Sequence, residues 1–179
     1  MKKRVKSKID RILLVAVCLL ALPVLAGVRP YEFEWAKRTA DEFPPIARLE
    51  RTNGWTVCGQ DAAAVLSNAN EHVLFGDGVV QLSCRPAGAQ PKVTLRPEAP
   101  LECADGFDTV SVWIWGDRIG SKSRLSAEFR DSSGAAFSVP MYEVRHQEWH
   151  CQIGVVTPEL RPRAAKGAIF TGLALALAT

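Results

Sequence analysis

The chain has 179 residues, with 22 Lys and Arg against 19 Asp and Glu and a formal charge of +3. Residues 1–26 hold six of the basic and one of the acidic residues; the remainder carries 16 against 18, which leaves no basic stripe for a nucleic acid. An apolar share of 47% with five Trp excludes disorder as the main state, and the residues after 26 suffice for one domain with its own core.

Lys2, Lys3, Arg4, Lys6, Lys8 and Arg11 lead into an apolar run over residues 12–22, followed by Pro23 and the small-residue ending Val24-Leu25-Ala26-Gly27. A basic start, a short apolar core and a small-residue exit are the pattern of a secretory signal peptide. Counted through Ala26 the apolar stretch is 15 residues, short of the length an unkinked helix needs to cross a bilayer, and Pro23 interrupts the helix near its exit. Residues 1–26 are read as a signal helix, which makes the protein secreted or part of the cell envelope. The alternative is an uncleaved anchor, the one membrane contact the sequence predicts. Cys18 lies within the apolar run rather than at its exit, which does not suit a lipoprotein anchor.

Residues 27–50 form a polar, proline-marked lead-in. Tyr31, Phe33 and Trp35 alternate with Glu32 and Glu34 as in an extended segment. Residues 36–43 have room for a helical turn or two before Pro44-Pro45 stops them. From residue 51 to 179 the pattern is strands and turns. Gly78 to Leu82 is short and β-branched, and Lys92 to Arg96 alternates polar with apolar. Thr109 to Trp115 points Val110, Val112 and Ile114 one way and Ser111, Trp113 and Trp115 the other; partly apolar on both faces, it reads as a strand in the middle of a covered sheet. Arg124 to Arg130 sets Leu125, Ala127 and Phe129 against Ser126, Glu128 and Arg130. Asp131-Ser-Ser-Gly134 turns it into Ala135 to Met141 as a hairpin. Trp149 to Val156 and Ala168 to Ala176 add two strands, and Ala62 to Leu66 fits strand or helix equally. Many short strands separated by turn residues predict an all-β fold, an antiparallel β-sandwich of the jelly-roll kind. The last strand runs apolar almost to Thr179, so the domain is expected to be incomplete, truncated before its last strand.

Beyond residue 26 there are four cysteines: Cys58, Cys84, Cys103 and Cys151. In an exported chain they are compatible with two disulfides in any of three pairings, or with buried free thiols. None stands at the close spacing of a zinc-ligand pair.

Phe107 to Asp117, the hairpin Leu125 to Gly134, and Glu148-Trp149-His150 resemble the jelly-roll modules of large secreted bacterial polysaccharide-acting proteins. These are carbohydrate-binding-module-like, galactose-binding-like domains. Phe170 to Leu175 is similar to their penultimate strand, and Glu42 to Glu50 to the start of such a chain. The resemblance covers about residues 42–179 and implies fold more than ligand. It implies a noncatalytic accessory module that binds or positions glycan for a catalytic region elsewhere in the polypeptide. A purely structural or interaction sandwich, and the front of a glycoside hydrolase whose catalytic domain lies outside this chain, are the other two readings.

A glycan surface needs a flat aromatic for the pyranose face and polar groups for the hydroxyls. Trp115 and Tyr142, near strand ends or turns, are the aromatic candidates. Glu128 and Arg130, on one strand face, are the polar ones, with a solvated surface pair as the plainer alternative. Trp113 and Trp149 read as core, and Trp115 also suits core or rim. Asp77, Asp108, Asp117 and Asp131 invite a structural calcium, though turn-capping explains each, and no cofactor is expected. His72, His146 and His150 are scattered, and Glu143 with Glu148 make only a nominal carboxylate pair. No catalytic residue is assigned.

Overall fold

The computed structural model describes residue 38 and residues 44–103, 105–116 and 122–178. Residues 1–26, expected to be a signal helix, most of the lead-in with its expected helical turn, and Asp117 lie outside the described residues.

Ten strands run through the described residues: β1 (Trp55–Gln60), β2 (Ala62–Ala69), β3 (Val79–Pro86), β4 (Lys92–Pro97), β5 (Leu101–Cys103), β6 (Thr109–Trp115), β7 (Ser123–Arg130), β8 (Ala136–Val144), β9 (Trp149–Val155) and β10 (Ala168–Ala176). The main sheet has the order β1-β4-β10-β7-β8, with β5 also on β10; β2-β3 and β6-β9 form separate two-stranded ladders. Every pairing is antiparallel. The chain is an all-β antiparallel sandwich.

β10 is the hub. β7 pairs along one edge from Ile169 to Ala176, while β5 and then β4 share the other. Flanked on both edges, its residues are buried or partly buried as far as Leu175, which accounts for its apolar run. The register is irregular between Phe170 and Gly172. Thr171 is an extra residue there, a bulge that reverses the alternation. Ala168 and Phe170 face the interior before it, and Leu173 and Leu175, opposite the inward Ala127 and Leu125, face it afterwards. Gly172, Ala174 and Ala176 are thereby turned to the outer face. Gly172 has φ 156°, and a Cβ there would stand 2.5 Å from the Leu95 carbonyl oxygen, so β4 and β10 approach closely at this point.

The inner face of the main sheet carries Ala127, Phe129, Phe137, Val139, Ala168 and Phe170, joined by Cys103, Val156 and Ala164. Phe129 is at the centre, its ring 4.6 Å from Phe107, 5.3 Å from Phe137 and 5.5 Å from Phe170. The β6-β9 ladder forms the second layer. Val110 lies opposite Gly154, and a Cβ on Gly154 would press within 3.0 Å of the Val139 side chain. The ladder's other face is packed by Leu74, Phe75 and Val79 around Trp149, Trp113 and Trp115.

β6 differs from its sequence reading. It is covered on both faces, but among the described residues it pairs with β9 alone, at the margin of a two-stranded ladder rather than mid-sheet. Its apolar pattern records covering above and below, which does not reveal how many edges are paired. Ala62 to Leu66 is strand, extended to Ala69. The expected hairpin forms: Gly134 N–H donates to the Asp131 carbonyl (2.8 Å) with φ 83° at Gly134, and the Asp131 side chain accepts from the Ser133 and Ala135 amides. Only glycine takes that φ cheaply. Arg163 then ties the turn down, donating to Asp131 Oδ2 at 2.9 Å and to the Ala136 carbonyl, with its guanidinium 5.1 Å from the centre of the Phe137 ring.

Candidate functional site

Opposed residues in a ladder project to the same face, so the register writes out the outer face of the main sheet. One row runs Thr56, Arg96, Gly172, Glu128, Ser138. The next is Cys58, Thr94, Ala174, Ser126, Pro140, and the third is Gln60, Lys92, Ala176, Arg124, Glu143. The small residues of β10 make a low floor between longer side chains on β4 and β7. A groove of about 450 Å³ opens here, lined by Arg96, Glu128, Arg130, Ala136, Ser138 and Thr171, with Phe129 and Phe137. A second depression of about 350 Å³ lies between Gln60, Gln90, Pro91, Lys92 and Ala176. The ammonium of Lys92, which lines the second, donates to Glu128 Oε1 of the first at 2.6 Å.

Glu128 and Arg130, singled out on sequence, thus share this groove. Glu128 is partly buried beside Lys92, and Arg130 Nη1 donates to the Gly134 carbonyl at 2.9 Å. Tyr142 lies along β8, four residues or about 13 Å from Ser138. It falls in the irregular stretch opposite Leu125 and is 67% exposed. Trp115 belongs to the other layer. Its ring stacks on His72 at 3.8 Å and 8° and meets Trp149 edge-on at 6.2 Å, so one face is already occupied. Arg96, Ser138 and Thr171 were not singled out. The alternation of β4 and β8 marks their face, but only the pairing of β4 with β10 and of β8 with β7 brings them together.

Acid–base groups are committed elsewhere. Glu143 is paired with Arg145, and Arg124 Nε stands 3.7 Å away. The Arg145 hydrogen bond, opposed next by burial and then reinforced by the charges of Arg145 and Arg124, holds its carboxyl below the usual range. A general acid needs the opposite shift. His146 and His150 lie with ring centres 4.5 Å apart; burial, then the neighbouring imidazole, pushes His146 down. Among the described residues no three His, Cys, Asp or Glu side chains are placed to hold a metal. Asp131 is engaged in its turn and by Arg163, and Asp108 accepts from the Thr109 hydroxyl at 2.9 Å. No disulfide joins the four cysteines beyond residue 26: Cys58 and Cys84 are exposed thiols, Cys103 and Cys151 buried ones. Burial raises the pKa of both buried thiols.

No family model and no curated protein matches this chain. Among solved structures it is similar, at 12% identity and a TM-score of 0.49, to a chain from a study of the promiscuous specificity of carbohydrate-binding modules from the β-sandwich superfamily. The match covers 72% of this chain and spans 54% of the other.

Proposed function

We propose that this chain is an exported, noncatalytic β-sandwich module that binds glycan on the outer face of its main sheet and positions it for a larger carbohydrate-active protein. One observation carries the reading. The groove on that face gathers two guanidinium groups, a carboxylate and two hydroxyls from four adjacent strands: Arg96 on β4, Thr171 on β10, Glu128 and Arg130 on β7, and Ser138 on β8. Donors and acceptors interleaved over an open, rigid surface match the hydroxyl pattern of a sugar chain, and their placement on strands fixes their spacing. Tyr142, exposed farther along β8, offers a flat ring for the apolar face of a sugar. Export follows from the basic and apolar pattern of residues 1–26. The test is a glycan array probed with the full chain and with Ser138→Trp, which fills the groove from an exposed position without adding charge. At least one glycan bound by the parent and lost by Ser138→Trp supports the proposal; equal binding by both, or no binding by the folded parent, overturns it.

A further inference from the structure

We infer that the groove prefers an acidic glycan, a polysaccharide bearing uronate carboxylates, held between Arg96 and Arg130. The inference rests on the glycan-binding reading above and narrows it. The two depressions are lined by three cations, Lys92, Arg96 and Arg130, and one carboxylate, Glu128. That carboxylate is already matched by the Lys92 ammonium at 2.6 Å. Among the described residues, neither Arg96 nor Arg130 has a carboxylate within ion-pair distance; Arg130 reaches only the Gly134 carbonyl, through Nη1. Apart from Glu128, which is held by Lys92, register places Glu102 on this face, separated from Arg130 by the width of β10 at Ile169. The two arginines come from β4 and β7, the strands on either side of β10; Arg96 lies across Gly172 from Glu128, and Arg130 follows two residues farther along β7, so their backbones are about 12 Å apart on a diagonal. A guanidinium presents a rigid fork of N–H donors that suits a carboxylate bidentately. Two such forks set diagonally across β10 suit an extended chain with acids at intervals better than a lone neutral ring. The local excess of positive charge stands against a background of opposite sign, since residues 27–179 hold 16 basic and 18 acidic residues.

Polygalacturonate and its fully methyl-esterified form share one backbone and differ in charge. Binding of the full chain to both, and to poly-glutamate as an anion without sugar, is measured by affinity electrophoresis. The variants are Arg96→Gln/Arg130→Gln and Glu128→Gln, each checked for an unchanged β-sheet spectrum and thermal midpoint. The inference predicts binding to polygalacturonate at least tenfold tighter than to the ester or to poly-glutamate. It also predicts a tenfold or greater loss in the double arginine variant and a gain of several-fold in Glu128→Gln, which releases the Lys92 ammonium. Equal affinity for the acid and the ester, or binding only to neutral glycans, overturns the acidic preference and leaves the glycan reading standing. Poly-glutamate bound as tightly as polygalacturonate overturns it as charge without sugar. Failure to bind any glycan removes both.

Discussion

Phe129→Ala removes the ring at the centre of the interior and probes the packing of the two layers directly. Phe129 is 2% exposed and touches rings from β8, β10 and the Phe107 segment. Truncating such a residue costs about 3–5 kcal/mol in lost transfer free energy and residual cavity. Each ring pair adds about 0.5–1.5 kcal/mol beyond area burial, which places the expected loss near the top of that range. Set against a total stability of about 5–15 kcal/mol, that loss is from about a third to all of the folded population's margin. With a urea dependence of about 2 kcal/mol per molar, the unfolding midpoint falls by about 2 M. Phe129→Leu keeps most of the volume and costs about 1.5 kcal/mol. Urea titrations followed by tryptophan fluorescence measure both. A loss below 1 kcal/mol for Ala, or equal losses for Ala and Leu, would refute the placement of Phe129 between the layers.

Trp115→Ala lowers the thermal midpoint through loss of its contacts with His72 and Trp149, by about 3 kcal/mol in stability, whereas Tyr142→Ala, at a 67% exposed position, changes stability by less than about 0.5 kcal/mol; calorimetry that ranks them the other way contradicts the assignment of each to its layer. His146 takes its proton in the unfolded chain near its ordinary value of 6.5 but resists it when folded. Stability is therefore complete above that value and declines as the pH falls below it, and His146→Gln flattens the decline measured by denaturation at a series of pH values. The Asp131 carboxyl is held at about 2 by Ser133 first and Arg163 next, so its contribution is present above 3.8 and is lost as the pH falls toward 2. Asp131→Ala moves the acid-unfolding midpoint upward, and an unmoved midpoint would show the turn to be dispensable. Gly134→Ala, forced to φ 83°, costs about 1 kcal/mol or more and weakens the β7-β8 hairpin, measured as faster amide exchange along both strands.

The strands with clean two-residue alternation were legible without coordinates. Arg124 to Arg130 and its return after Asp131-Ser-Ser-Gly134 appear as read, because both local turn chemistry and side-chain periodicity point the same way. β1 was not legible: Trp55-Thr-Val-Cys-Gly-Gln60 has no sustained alternation, and its residues become a strand through pairing with β4. Nor was β5, whose three residues are held by β10. The bulge at Thr171 is invisible in a stretch whose only polar side chain is Thr171 itself, since either parity of Leu173 to Ala176 is apolar. For the site, Glu128 and Arg130 were legible as a shared strand face. Arg96 and Thr171 were not, because they join that face only through the long-range order β4-β10-β7, which no local pattern encodes. Trp115 looked like a binding platform from its place at a strand end; its partner His72 is 43 residues earlier in the chain.

The outer face of the main sheet as the glycan-binding surface is tested most directly by amide chemical-shift mapping on the isotope-labelled full chain, titrated with the tightest glycan from the array. Shifts clustered on Arg96, Glu128, Arg130, Ser138 and Thr171 are the expected outcome. Shifts confined to β6, β9 and the segment around His72, with the groove residues unmoved, would contradict it.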